Sequence, residues 1–492
     1  MNDLAHFVCA HSVRIGPATR VGTDANHGSM ARLTGLTSVV WASVWTCLGT
    51  AGTPPLSAEP CEYAWQPTFS SEVEVDDVVH EMIVFDDGSG PALYVGGDFS
   101  SIGGEDMKGI ARWDGENWSA IGANLEGHNP SVYAMAVHDD GSGPALYLGG
   151  NFTAAGGIEA KNIVRWDGET WSALGKGVGE GIYSSVFALG VFDDGSGEAI
   201  YAGGNFTTAG GTDTFGIARW DGQSWSSLGS GVDGRAVGSL SVYDDGTGPA
   251  LYVGGEFDSA GGHAANHIAR WDGREWSVLG NGMDHWVSAS TVFDDGSGPA
   301  LYVGGKFATA DGVAVDGLAR WDGAAWSPVG GGVGGIVPAV SSLSTFDDGT
   351  GPILLAGGRF NEAGGVAASH IAQWNGEAWA PLGAGMSGFM EPTVRSMTTG
   401  PESDGPPTLY VGGTFATAGN MPSSHIAKWD CAATPVPGDL TGDGTVGGAD
   451  LGVLLSHWGT CDDCEDCPAD LTGDCKVDGA DLGVLLSKWT PK

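Results

Sequence analysis

The middle of the chain alternates apolar and polar positions in short runs, and the same runs return seven times. In one copy, Val132 to Val137 leads into His138-Asp139-Asp140-Gly141-Ser142-Gly143 and then into Ala145-Leu146-Tyr147-Leu148-Gly149-Gly150. Two β-rich runs joined by an Asp-Gly turn predict a hairpin. Ile163-Val164-Arg165-Trp166-Asp167-Gly168 followed by Trp171-Ser172-Ala173-Leu174-Gly175 predicts a second hairpin, again turning on Asp-Gly. Four short strands therefore make one unit. The marker Gly-Gly-x-Phe begins at Gly96, Gly149, Gly203, Gly254, Gly304, Gly357 and Gly412.

A sheet with two apolar faces cannot bury both alone, so neighbouring copies must stack, and a period of about 50 residues predicts a β-propeller. The expected fold class is all-β, with seven blades over residues 61–431. Glycine pairs suit the crowded axis of such a ring, where backbones approach closely. Tryptophan pairs such as Trp113 with Trp118 and Trp271 with Trp276 suit the wider space between blades. The seventh copy runs from Leu409 to Asp430 and lacks its Trp-x-x-Leu-Gly strand, while Ala64-Trp65-Gln66-Pro67-Thr68-Phe69 stands alone ahead of the first copy. The N-terminal strand is thus expected to complete the last blade and remove its open edges. Cys61 and Cys431 flank these two strands with no cysteine between them, and a disulfide there would staple the closure. The run Leu-Tyr-Val-Gly-Gly with a downstream Trp resembles the kelch-like propellers, and more closely the glycine-rich bacterial and cell-surface repeats of that kind. These blades place Trp-Asp-Gly-x-x-Trp where kelch blades typically place Tyr and then Trp.

After a short proline-bearing linker, 432–437, a different repeat occurs twice in residues 438–492. Asp439, Thr441, Asp443, Thr445 and Asp450 match Asp470, Thr472, Asp474, Lys476 and Asp481, with Asp478 added in the second copy where the first has Gly447. Oxygen donors at positions 1, 3, 5, 7, 9 and 12 are what a twelve-residue calcium loop requires, position 7 contributing a carbonyl. Leu451, Leu454, Leu455 and Trp458, and their counterparts Leu482, Leu485, Leu486 and Trp489, follow at helical spacing and are expected on one face. Two tandem loop–helix units of this form resemble the dockerin family, an EF-hand-like α-helical module. The resemblance implies two calcium sites, a calcium-dependent docking role and a cohesin-like protein partner. Thr at position 3 and Cys475 at the sharp-turn position depart from the usual loop. With more carboxylates, the second loop is expected to bind more tightly. Cys461, Cys464, Cys467 and Cys475 lie between and within the loops, in a spacing that suits zinc or, in an exported chain, two disulfides with three pairings open.

Composition narrows the partners. A formal net charge of −40 repels nucleic acid and anionic membrane surfaces. Residues 1–29 show no periodicity and read as an overextended start. Met30-Ala31-Arg32 followed by the apolar run Leu33 to Leu48 reads as a secretory signal over 30–58, too short for a membrane span, so an extracellular or cell-surface location is expected.

Chemistry-bearing motifs are few. No Gly-x-Ser-x-Gly, phosphate-binding Gly-x-x-x-x-Gly-Lys or His-Glu-x-x-His occurs. His267, His370 and His425 share a blade position held elsewhere by Gly109, Asn162, Gly216 and Gly317; gathered at one rim they would bind metal, and otherwise they are strand-edge residues. The segments after each Trp-x-x-Leu-Gly vary most, and they display His128, Asn129, Tyr183, Arg235, His285, Trp286, Phe389 and Glu391. Loops over a rigid scaffold suit a glycan or protein ligand. The expected function is a non-catalytic binding or scaffold protein. The alternatives are a carbohydrate-active hydrolase, needing two carboxylates about 5–10 Å apart, and a structural repeat protein whose tail is only a cap.

Overall fold

Each repeat folds as an antiparallel sheet of four strands in sequential order, as in Ser131–Asp139, Pro144–Asn151, Ile163–Trp166 and Trp171–Ala173. Seven such sheets occur among the described residues of this computed structural model, and the fourth carries an extra short strand, His263–Ala264. The described residues are 62–66, 74–122, 125–181, 183–389, 391–400, 406–432, 438, 440, 446–460, 467 and 469–489. The expected start region, signal, linker, Cys61, Cys461, Cys464, Asp439, Thr441, Asp443 and Thr445 lie outside them. No helix of the described residues is long and apolar enough to cross a membrane.

The Asp-Asp-Gly turns do more than reverse the chain. In the first repeat, Asp86 accepts the N–H groups of Gly88 and Gly90, closing the turn. Asp87 accepts from Ser89 and from the Tyr94 hydroxyl at 2.8 Å, and it pairs with Arg112 at 3.1 Å, so one carboxylate joins the turn to the second and third strands. Burial pushes the Asp87 carboxyl up, but the Ser89 and Tyr94 hydrogen bonds and the Arg112 charge outweigh it and hold it below the ordinary range. The same triad recurs as Asp140, Tyr147 and Arg165, and as Asp194, Tyr201 and Arg219. It recurs again as Asp245, Tyr252 and Arg270, and as Asp295, Tyr302 and Arg320. In the sixth repeat Leu355 and Gln373 stand opposite each other instead.

Successive sheets pack through the first glycine of each pair. A methyl group added to Gly96 would lie 2.6 Å from Val132 Cγ1 of the next repeat. Gly149 meets Val186 in the same way, Gly203 meets Val237, Gly254 meets Val287, Gly304 meets Val340, and Gly357 meets Val394. Gly412 of the seventh repeat meets Val79 of the first, so the succession returns to its start. The outer strands are stitched similarly. Trp225 Nε1 donates to the Leu174 carbonyl at 2.9 Å, Trp276 to Leu228 at 2.8 Å, and Trp379 to Val329 at 3.1 Å.

The seventh sheet is built from both ends of this region. Its strands are Thr393–Thr399, Leu409–Thr414, Ile426–Ala432 and, at the outside, the N-terminal Glu62–Gln66. Trp65 stands opposite Trp429, as Trp225 stands opposite Trp220, and donates to Leu382 of the sixth repeat at 3.3 Å. The N-terminal strand therefore supplies the fourth strand that the seventh copy lacks.

In the C-terminal segment, helix α1 (Gly448–Ser456) and helix α2 (Gly479–Ser487) share a small core of Val446, Leu454, Ala469, Val477 and Leu485, while Gly459–Thr460 pairs with Lys476–Val477. The expected single apolar face is split. Leu454 and Leu485 are buried, but Leu455, Trp458, Leu486 and Trp489 are 37–52% exposed. Neighbouring residues on a helix are about 100° apart. A core this small covers one stripe of each helix and leaves the adjacent stripe open.

Candidate functional site

Every first strand breaks its pairing at one register, just after the valine that fills the neighbouring glycine. The break skips His80 in the first repeat, Tyr133 in the second, Phe187 in the third and Gly238 in the fourth. It skips Ser288, Ser341 and Arg395 in the fifth, sixth and seventh. A β-bulge re-aims its extra residue out of the ladder. All seven bulge residues line a single cavity of about 580 Å³, joined by Glu81, Glu256 and Trp286. The next residue of each strand, Glu81, Ala134, Ala188, Ser239, Ala289, Ser342 and Ser396, lines a smaller cavity of about 190 Å³ that shares Glu81, Phe187 and Arg395 with the first.

The mouth is lopsided. Arg395, His80, Tyr133 and Phe187 come from consecutive repeats in the cyclic order, and Gly238, Ser288 and Ser341 from the other three. His80 and Tyr133 meet edge to face at 4.8 Å, and Tyr133 and Phe187 lie 5.4 Å apart, so three rings form one continuous row. His80 Nε2 lies 2.9 Å from Asp98 Oδ2. Burial pushes the Asp98 carboxyl up, but the His80 contact, Ser131 and the Arg395 charge hold it below the ordinary range. Burial pulls Arg395 below its usual value while Asp98 and Tyr133 oppose that pull. Glu81 accepts from the Met82 N–H and the Ser396 hydroxyl, each at 3.1 Å, yet burial pushes its carboxyl up to about 7.

Of the loop residues singled out from sequence, Trp286 reaches this cavity. Arg235 borders it through a 3.1 Å pair with Glu256. His128 and Asn129 line an adjoining cavity of about 560 Å³ together with Asp98 and Tyr133. Tyr183 is 81% exposed, Phe389 stacks on His425 at 5.0 Å, Glu391 pairs with Arg359 at 2.8 Å, and His285 stacks on His267 at 6.4 Å. The variable x of Gly-Gly-x-Phe ties down several of these loops: Asn205 donates to the Tyr183 carbonyl, Glu256 holds Arg235, Lys306 lies over the Trp286 ring and Arg359 holds Glu391.

His267, His370 and His425 do not form a metal site: no group of three or more His, Cys, Asp or Glu able to hold a metal occurs among the described residues. Their shared position has φ of 73°, 68° and 66°, and the equivalents Gly109, Asn162, Gly216 and Gly317 are also left-handed. Backbone conformation selects glycine, asparagine and histidine there.

In the second C-terminal loop, Asp470 accepts the N–H groups of Gly473, Asp474 and Cys475, and Cys475 takes a left-handed φ of 68° at the sharp turn. Asp481, fully buried, accepts from the Thr472 N–H and hydroxyl and from the Asp478 N–H. Burial pushes its carboxyl up, but these donors hold it below the ordinary range. Asp474 accepts from Lys476 and Asp478 caps α2 through Ala480. Asp450 is likewise fully buried and accepts from Leu440 and Gly447. The donors are all oxygen, in the order a hard cation requires, although the described carboxylates turn to backbone N–H groups and do not converge on one point. Cys431, Cys467 and Cys475 are disulfide-bonded.

No family model matches this chain, and no curated protein matches it. Among solved structures the chain is similar to the extracellular domain of a protein described as a hybrid two-component system of B. thetaiotaomicron, at 12% identity and a TM-score of 0.44, covering 75% of this chain and 40% of that one. A second structure, described as the extracellular domain of a one-component system of the same organism, matches at 11% identity and 0.42, covering 74% and 39%. The BBS1N chain solved with ARL6DN matches at 10% identity and 0.39, covering 76% of this chain and 98% of that one. The chain spans about two fifths of the length of the first two structures.

Proposed function

We propose that this is an exported binding protein: a seven-bladed β-propeller whose central mouth recognises a ligand, joined to a dockerin-like module that calcium folds for docking. One observation carries the reading. A framework repeated seven times delivers the most widely varying residue of its first strand, from glycine to arginine, by the same bulge into the same cavity. A rigid scaffold presenting variable side chains at one concave place is the arrangement of a binding site. The return of the glycine–valine contacts from the seventh repeat to the first supports ring closure, as does the N-terminal strand in the last sheet. The pairing of Tyr63 with the disulfide-bonded Cys431 supports a Cys61–Cys431 bridge beside it. Binding is favoured over hydrolysis because Asp98 is tied to His80 and Glu256 to Arg235, which leaves Glu81 without a matched acid–base partner.

In the module, Asp470, Thr472, Asp474, the Lys476 carbonyl, Asp478 and Asp481 would hold one calcium ion, and Asp439, Thr441, Asp443, Thr445 and Asp450 the other. Bound calcium would neutralise carboxylates that otherwise crowd a chain of net charge −40. The exposed pairs Leu455 with Trp458 and Leu486 with Trp489 give the module two similar apolar stripes, which suits a protein partner such as a cohesin-like domain. The test is limited proteolysis of the whole protein with calcium and with chelator, beside glycan-panel binding. Protection of residues 438–492 only with calcium is expected; identical cleavage under both conditions removes the docking half of the proposal. Unchanged glycan binding after the mouth residues are altered removes the other half.

A further inference from the structure

Resting on the reading of the mouth as a recognition site, we propose that it binds one uncharged sugar ring of a neutral polysaccharide or oligosaccharide. Three features select this ligand. First, the row His80, Tyr133 and Phe187 offers contiguous aromatic surface on one arc, suited to the apolar C–H face of a pyranose ring. Second, Arg395 and Asp98 border that row and bear fixed donors and acceptors. A fork of N–H groups beside a carboxylate hydrogen-bonds adjacent hydroxyls in both directions, and such a site rejects ligands that lack them. Third, carboxylates stand beside the basic groups: Asp98 lies 2.9 Å from His80 and is held down by the Arg395 charge as well, and Glu256 pairs with Arg235. The net charge of −40 repels acidic polymers.

The opposite arc explains why a ring fits. Gly238, Ser288 and Ser341 occupy the bulge positions that carry Phe187 or Arg395 elsewhere, so space on that side is left for ligand rather than filled by side chain. The cavity of about 580 Å³ falls within the range of small-molecule sites. The Ser288 and Ser341 hydroxyls there, with Ser239 and Ser342 beside them on the strands, add polar contacts without charge.

The repeats themselves provide conservative test variants. Serine already occupies this position in the fifth and sixth repeats, so Phe187→Ser and Arg395→Ser are compatible with the strand geometry. The whole protein, kept in calcium, is titrated calorimetrically with neutral oligosaccharides built on glucose, xylose, mannose or galactose, and with oligogalacturonate as the acidic counterpart. At least one neutral oligosaccharide should bind, with affinity indifferent to salt. Phe187→Ser should weaken it about tenfold and Arg395→Ser about 10- to 100-fold. Glu169→Ala, on an exposed turn away from the cavity lining, should leave it unchanged. Melting temperatures near that of the parent confirm that the variants fold; if Phe187→Ser fails to fold, Phe187→Leu replaces it. Binding only of oligogalacturonate, weakened by salt, overturns the neutral-sugar assignment while leaving the mouth as the site. Neutral binding that ignores both substitutions overturns the mouth as the sugar site but leaves the propeller a recognition protein. Binding of no saccharide overturns the inference outright.

Discussion

Trp65→Ala tests whether the N-terminal strand is a structural member of the last sheet or a tail laid against it. Trp65 is 7% exposed, packs against Trp429 at a centroid distance of 5.0 Å and donates to Leu382 at 3.3 Å. Gly383 and Gly419 abut its ring, where an added methyl group would come within about 3 Å of the indole. Removing such a side chain costs about 3–5 kcal/mol, of which the hydrogen bond supplies about 1. Trp379 is the internal reference, 6% exposed and donating to Val329 at 3.1 Å from a strand whose membership is not in question. Urea unfolding of the whole protein in calcium, followed by far-ultraviolet circular dichroism, should show both alanine variants losing comparable stability at an unchanged slope. If Trp379→Ala loses several kcal/mol while Trp65→Ala loses less than about 0.5, the size of an ordinary surface change, the closure argument fails.

Four further outcomes follow from the same contacts. Glu81 has its folded pKa raised from 4.5 to about 7, so the protonated form stabilises the fold below about 4.5 and that contribution is lost as pH rises through about 7. Glu81→Gln should therefore unfold at higher urea than the parent above neutral pH and converge with it in acid. The gap is bounded by about 3 kcal/mol and reduced by water in the mouth; a variant less stable at alkaline pH contradicts the assignment. Asp87→Ala should cost about 1–3 kcal/mol because Ser89, Tyr94 and Arg112 lose a shared acceptor, whereas Asp348→Ala, at the matching turn of the sixth repeat where Leu355 and Gln373 stand in the Tyr and Arg positions, should cost less by the same unfolding assay. Gly149→Ala should destabilise by about 1–3 kcal/mol through overpacking on Val186, and Val186→Ala in the same chain should restore part of it; purely additive losses would deny the contact. Asp474→Ala should lower the calcium protection of residues 470–489 against protease, and equal protection would remove Asp474 from the site.

The repeat unit, the Asp-Gly turns and the displaced last strand were legible because each leaves a local mark: alternation, a turn dipeptide, or a tryptophan where a copy is missing its own. The diglycine was read as allowing close backbone approach, but the first glycine of the pair receives a valine side chain of the neighbouring repeat, as Gly96 and Gly412 show, while Trp225 reaches the neighbouring repeat as the tryptophan reading expected. The mouth was not legible. A bulge adds one residue without breaking the apolar pattern visibly, so His80, Tyr133, Phe187 and Arg395 read as ordinary strand positions. Aligning the seven copies on the recurrent valine would have exposed them, since that next residue varies from glycine to arginine beside an invariant valine. The histidines left two readings open, and the backbone decides between them: a left-handed position admits glycine, asparagine and histidine alike, and repetition there reports conformation rather than chemistry. Helical spacing placed Leu455 and Trp458 with Leu454, but spacing cannot say how wide a stripe the partner helix will cover.

The composite seventh sheet has a consequence for biosynthesis. The strand Glu62–Gln66 is made before the first copy and pairs in the finished sheet with Ile426–Ala432, made after the other two strands of that sheet. Until then Glu62–Gln66 has no partner strand and the faces of the first and sixth sheets that the seventh covers stay open, the situation that invites association between chains. A ribosome delivering this protein vectorially would thus hold the seventh sheet unfinished while all of residues 67–425 are made. A product truncated before Ile426 should self-associate rather than persist as a shorter monomer.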